Sequence, residues 1–226
     1  MRLRLRQRQI ISFSAGRGKV KFGGLIKFTL IDFPGRPAAV VFTQGCNFRC
    51  RYCHNPELVY PHLFTEPAPE EEIRSFLQRR QGTLEGVVVS GGEPTLFDDL
   101  PEFMAYLKKL GYAVKLDTNG TRPDMISELI EKKLVDYIAM DLKAPLDKYN
   151  LITGVDTNPE ILTRSMDLIR QSGLEYEFRT TYDKEVLTDQ DIDTLKTLTK
   201  NDLYRVQECL PVAKEKAALK VLHKEI

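Results

Sequence analysis

The sequence predicts an α/β protein built as an open barrel of six parallel strands. Three observations predict it. Apolar runs suited to buried strands recur at 38–43, 86–90, 113–117, 135–141, 175–180 and 204–208. Helical stretches separate them at 70–81, 98–110, 123–133, 159–172 and 188–200. Strand–helix alternation of this kind calls for a parallel sheet with right-handed crossovers. The chain has 226 residues, short of the about 250 typical of an eight-unit barrel.

Local signals place the elements. Residues 1–19 alternate Arg and Leu, then turn to Ser and Gly, and are expected to be a disordered, dispensable basic arm; residues 20–226 are expected to form one domain. Gly23-Gly24 and Asp32-Phe33-Pro34-Gly35 read as turns around a short segment, 25–31. Glu70, Glu71 and Glu72 suit the positive end of the first helix dipole. Gly111 and Gly173 read as helix stops, and Pro123 is acceptable in a first turn.

Composition narrows the class. The chain is 42% hydrophobic and 29% charged, as in ordinary globular proteins, and no apolar stretch is long enough to span a bilayer. Three of the four cysteines are clustered, which argues for metal binding in a reducing cytoplasm rather than a disulfide framework. The net charge of +1 hides an asymmetry: eight basic residues and no acidic one precede Asp32, leaving 25 basic against 32 acidic residues, a balance of −7, in the rest. Such an arm suits nucleic acid or an acidic partner; a tail without a role is the preferred reading, and a membrane is not expected.

The chemistry centres on Cys46-Asn47-Phe48-Arg49-Cys50-Arg51-Tyr52-Cys53-His54-Asn55. The three thiols fall on a loop at the end of the first predicted strand. Thiolates suit soft metals and iron–sulfur clusters. In a [4Fe–4S] cluster, three cysteines leave one iron open to a small molecule. The competing reading is a zinc loop closed by His54 or Cys209, or free thiols.

The C-x3-C-x2-C spacing with Tyr52 resembles the cluster loop of the radical S-adenosylmethionine superfamily. Gln44-Gly45-Cys46 and Tyr52-Cys53-His54-Asn55-Pro56-Glu57-Leu58 narrow the resemblance to glycyl radical activating enzymes. It is strongest to the activating proteins of anaerobic ribonucleoside-triphosphate reductase, over 22–181. The resemblance implies a partial (β/α)6 barrel, a [4Fe–4S] cluster on Cys46, Cys50 and Cys53, and S-adenosyl-L-methionine as cofactor.

The remaining polar motifs fall where predicted strands end, the end at which barrel enzymes place their sites. They are Gly91-Gly92-Glu93-Pro94, Asp117-Thr118-Asn119-Gly120, Asp141-Leu142-Lys143 and Arg179-Thr180-Thr181. Gly91-Gly92 lets backbone approach a ligand, although alone it reads as a tight turn. The resemblance assigns Gly91, Gly92, Glu93 and Pro94 to the cofactor's amino group. Asp117 and Asp141 are costly at strand ends unless paired or solvated; a structural ion pair is the competing reading. The resemblance assigns Asp141, Leu142 and Lys143 to the cofactor, and Asp117-Thr118, with Asn119 beside them, to a monovalent cation or the cofactor. Tyr52 is placed along the adenine and His54 at the nucleoside or capping the cluster loop. His62 and His223 read as surface residues, and Cys209 as a small buried apolar one. The family's late ribose-contacting histidine is absent from Glu208-Cys209-Leu210-Pro211, and the short charged tail from Lys214 follows.

The resemblance implies an activase that, reduced by flavodoxin or ferredoxin, cleaves S-adenosylmethionine and raises a glycyl radical on anaerobic ribonucleotide reductase. Two rivals stand beside it. One is a radical enzyme acting on another glycyl radical protein, such as pyruvate formate-lyase, or on a small molecule. The other is a zinc-loop nucleic-acid-binding module, for which the arm has only Phe13 as a stacking residue.

Overall fold

The computed structural model describes residues 18–209. Most of the expected arm, the charged tail and His223 lie outside those residues. Among the described residues, seven strands form one sheet in sequence order: β1 (Phe22–Thr29), β2 (Ala38–Thr43), β3 (Gly86–Gly91), β4 (Ala113–Thr118), β5 (Tyr137–Asp141), β6 (Glu175–Tyr182) and β7 (Tyr204–Glu208). Strands β2 to β7 pair in parallel, each with the next in sequence. The sheet order leaves β1 and β7 at opposite edges, so the curved sheet is an open barrel.

The six parallel strands match the sequence expectation within about two residues at each end. Strand β1 does not: the sequence suggests a segment between turns at 25–31, whereas 22–29 pairs antiparallel with β2. Gly23-Gly24 lies inside the strand, at a register shift between Phe22 and Gly24. Glycine within a strand marks a bulge or a close approach as readily as a turn marks an end, and the Leu58 side chain packs directly on Gly23.

Among the described residues, seven α-helices lie between the strands: α1 (Pro56–Val59), α2 (Glu70–Arg79), α3 (Leu100–Lys109), α4 (Pro123–Glu131), α5 (Tyr149–Thr153), α6 (Pro159–Gln171) and α7 (Asp189–Leu198). The short α1 and α5 carry too few residues for a periodic signal. Helix α2 opens on its three glutamates. Helix α7 opens on a capping box between Thr188 and Asp191.

Alternation along the strands divides the core. Val41, Val87, Val89, Leu116, Ile138 and Phe178 face outward, in one cluster with the helices. Ala38, Val40, Val88, Tyr137 and Ala139 face inward, with Phe33 closing the end where the parallel strands begin. Phe33 is only 1% exposed and its ring lies 6.1 Å from that of Tyr137. Further along β4, β5 and β6, the inward positions become Asp117, Asp141 and Arg179. The interior is therefore plugged by Phe33 at one end, where buried Lys115 and Glu177 sit level with the apolar side chains, and is polar and open at the other.

Candidate active site

The cysteine loop leaves β2 and is tied to the next three loops around the barrel. Glu93 N–H donates to Gly45 O (2.8 Å), and Gly92 N–H to Thr43 O (2.9 Å). Asn47 donates to Thr121 Oγ1 (2.9 Å) and accepts from Asn119 Nδ2 (2.8 Å). Arg49 N–H donates to Thr153 O at the end of α5 (2.7 Å), and its guanidinium donates to Cys46 O and Phe48 O. The thiols are thus positioned by the fold. Cys46 and Cys50 are buried and Cys53 is half-buried.

Burial pushes all three thiols up, Cys46 to about 12. They are protonated near neutrality, so loading iron on them releases protons. Among the described residues, no three His, Cys, Asp or Glu side chains gather on one metal-ion position. A cluster asks for a different arrangement, with one thiolate on each of three irons.

The thiols face a cavity of about 510 Å³ whose wall also includes Tyr52, His54, Gly91, Gly92, Glu93, Asp117, Asn119, Asp141 and Lys143. The sequence motifs therefore meet at one cavity, and two of the expected cofactor residues stand apart from it. Pro94 and Leu142 do not line the cavity. Leu142 is fully buried in the outer core, and its peptide N–H donates to Arg179 O (2.7 Å). Pro94 is buried behind Glu93, where it opens a short 3-10 turn. Both residues shape the backbone that carries their neighbours.

The Gly-Gly-Glu segment is packed on the cysteine loop itself. Gly91 has φ +121°, and a Cβ there would run into Thr43 backbone; one at Gly92 would run into the Gly45 carbonyl. Glu93 is 1% exposed. Its Oε1 accepts from Thr95 N (3.1 Å), Thr95 Oγ1 (2.5 Å) and Thr118 Oγ1 (2.7 Å), and its Oε2 from Asn119 N (2.6 Å). Burial raises its pKa against these hydrogen bonds. Glu93 thus joins the loops after β3 and β4 while one edge of it meets the cavity.

A ladder of alternating charge runs across the inward positions of β4, β5 and β6 to Lys143, which lies near the thiols. Lys115 Nζ meets Asp117 Oδ1 at 2.6 Å, Arg179 Nη1 meets the same oxygen at 3.5 Å, Arg179 Nε donates to Asp141 Oδ1 at 3.0 Å, and Lys143 Nζ donates to Asp141 Oδ2 at 2.9 Å. Burial alone would raise the Asp141 carboxyl, but Arg179 and Lys143 hold it well below the usual carboxylate range. Burial alone would lower Lys143; Asp141 holds it well above the usual ammonium range. The carboxylates are both ion-paired and on the cavity wall, which joins the two readings set apart in the sequence.

Arg179 lines the cavity without having been among the expected site residues, and Lys115, which is not on the cavity wall, supports Asp117 from behind it. Arg179 stood in a noted motif, and its strand position, two residues before Thr181, was the available signal. Lys115 lies inside an apolar run, where a lone lysine reads as tolerated rather than paired. Thr181 and Gln207, neighbours in register on β6 and β7, also line the cavity. Cys209 is half-buried at the end of β7, its N–H donating to Tyr182 O (3.0 Å). His62 is exposed, as expected.

A family profile described as the radical SAM superfamily matches residues 40–198. The chain belongs to the radical S-adenosylmethionine superfamily. Enzymes of this superfamily use a [4Fe–4S] cluster and S-adenosylmethionine. A Methanocaldococcus jannaschii protein named as a glycyl-radical enzyme activating enzyme is 38% identical over 200 residues, 85% of this chain and 81% of the relative. A pyruvate formate-lyase-activating enzyme of Listeria monocytogenes is 34% identical over 58% of this chain and 56% of its own length. Among solved structures, anSMEcpe with bound AdoMet matches with a TM-score of 0.58 at 21% identity, over 74% of this chain and 49% of that one. Streptococcus suis SuiB matches with a TM-score of 0.58 at 16% identity, over 74% of this chain and 38% of that one. The chain spans less than half of either solved structure, and the likeness there is one of fold.

The cavity fits the superfamily's groups on its own chemistry. It has three thiols on one wall and a glycine cradle against their loop. The Tyr52 hydroxyl is buried without a hydrogen-bond partner among the described residues. Asp141→Asn is expected to weaken S-adenosylmethionine binding about tenfold or more, the worth of a charged hydrogen bond at about 1.5–3 kcal/mol, while iron content stays unchanged. Equilibrium binding beside a thermal melt checks this: normal binding with a much earlier melt would make the Asp141 pair purely structural.

Proposed function

We propose that the protein generates a glycyl radical on anaerobic ribonucleoside-triphosphate reductase, with flavodoxin or ferredoxin as electron donor and the cytoplasm as its place of action. The observation that carries the reading is the convergence of three buried thiols, the Gly-Gly-Glu cradle and the Asp141–Lys143 pair on one cavity. Cys46, Cys50 and Cys53 would hold the [4Fe–4S] cluster. When bound, the cluster supplies the electron that cleaves S-adenosylmethionine to methionine and the 5′-deoxyadenosyl radical that takes a glycine hydrogen atom.

The chain's own residues bind and orient. Gly91, Gly92 and Glu93 present backbone and a buried carboxylate edge to the cofactor's ammonium. Asp141 and Lys143 hold the nucleoside end, with Tyr52 and His54 packed beside it. Asp117 and Asn119 serve the cofactor or a monovalent cation. No side-chain acid or base is needed for hydrogen-atom transfer, so orientation and exclusion of water are the protein's task. The open barrel suits a protein loop as substrate. Such a loop leaves its own fold to enter, so binding carries an ordering cost and is modest in affinity.

Three segments favour the reductase by resemblance: 27–35, 115–120 and 176–181. The pyruvate formate-lyase-activating relatives keep that second partner in the test. Anaerobic electron paramagnetic resonance of reduced protein, S-adenosylmethionine and each candidate enzyme is expected to give a glycyl doublet with the reductase. A doublet with pyruvate formate-lyase alone would overturn the partner and leave the chemistry standing. No doublet with any glycyl radical protein would overturn the activase reading.

A further inference from the structure

We propose that Arg51 straps the cysteine loop across the open side of the barrel and so governs access to Cys50 and Cys53. Arg51 lies between those two cysteines, yet it reaches away from them. Its Nη2 is 2.6 Å from Glu185 Oε2 and its Nε is 3.6 Å from Asp183 Oδ2. The cysteine loop follows β2, and Asp183 and Glu185 follow β6, four strands further round. Because β1 and β7 are not paired with each other, the sheet does not itself draw those two sides together. The Arg51 contact does so at the mouth.

The receiving turn is built to hold a fixed charge. Asp183 is 8% exposed. Its Oδ1 accepts from Glu185 N (3.0 Å), and its carbonyl accepts from Val186 N and Leu187 N. That leaves Oδ2 turned to the guanidinium. The ties to the loops after β3, β4 and β5 are backbone or neutral hydrogen bonds, and they hold the part of the loop carrying Asn47 and Arg49. The tie to the loop after β6 is ionic and its Arg51 side chain is 50% exposed, so salt screens it. Loosening it frees the segment bearing Cys50 and Cys53 while Cys46 stays anchored. Arg51 is therefore a positioning residue, acting on the thiols through the loop. Its link to cluster retention rests on the proposed cluster; the strap itself does not.

The test is iodoacetamide labelling of the iron-free full chain under anaerobic conditions, read at each cysteine by mass spectrometry. Wild type, Arg51→Ala, Arg51→Glu and Arg51→Glu paired with Glu185→Arg are compared at low and high salt. Labelling of Cys53 in wild type is expected to rise about threefold with salt, in keeping with a surface ion pair. Arg51→Ala labels fast at both salts, Arg51→Glu faster still, and the charge-swapped double variant labels more slowly than Arg51→Glu but faster than wild type, because Asp183 still faces position 51. Cys46 labels at one rate throughout. Iron release from the reconstituted protein to a chelator should follow the same ranking. Equal Cys53 rates in wild type and Arg51→Ala, or no recovery in the swap, would overturn the strap. The labelling ranking without iron retention would keep the strap and remove the cluster.

Discussion

Alanine at Cys46, Cys50 or Cys53 is expected to abolish iron retention and S-adenosylmethionine cleavage, while Cys209→Ala is expected to keep both. Each of the three thiols faces the same cavity, and in the proposed cluster each would hold its own iron, so none would substitute for another. Cys209 is at the end of β7 and is not part of the cavity wall. Iron analysis and visible absorption after anaerobic reconstitution check the prediction. Full iron loading and normal turnover in Cys50→Ala would rule out the cluster assignment. The raised thiol pKa values add a direction: assembly releases protons and is favoured as pH rises.

Arg179→Met is expected to cost about 3–5 kcal/mol of stability, the range for breaking a buried ion pair from one side. The guanidinium touches Asp117, Asp141 and, at 4.0 Å, Glu177. Its side chain is only 16% exposed, so water does little to replace it. Lysine at 179 should recover part of the loss but lacks the fork that reaches two carboxylates at once. The deficit depends on pH with a definite sign. In wild type the Asp141 pKa is depressed, so its contribution is complete above about pH 4, the unfolded value, and is lost only as pH falls through the depressed folded value. In Arg179→Met that depression shrinks, so the gap between variant and wild type is widest at neutral pH and narrows in acid. Urea melts at several pH values check this; a gap that stays constant would mean the loss is one of packing.

Much of this was readable in the residues, for physical reasons. Strands buried on both faces must be continuously apolar, which is why 38–43 and 86–90 announce themselves. The thiols and the Asp141–Lys143 pair were readable because their chemistry is uncommon at those spacings. Strand β1 was hidden because Gly23-Gly24 serves a bulge that looks like a turn. Arg179 was passed over because its value lies in carboxylates from two other strands, Asp117 and Asp141, and sequence shows neither neighbour. Glu93 was readable as a candidate, but not the two of its four hydrogen bonds that depend on Thr118 and Asn119 arriving with the next strand.

The contact between the Gly-Gly segment and the cysteine loop has a consequence for mutational tolerance. It is made by main chain on both sides: Gly92 N–H to Thr43 O and Glu93 N–H to Gly45 O. A peptide group offers the same atoms whatever side chain it carries, so these hydrogen bonds ask little of the residue type at 43. The steric demand falls on 91 and 92, where any Cβ meets backbone that has nowhere to go. In a saturation library the two sides of this one contact should differ sharply, with 91 and 92 accepting almost nothing and 43 accepting small side chains that fit its buried pocket.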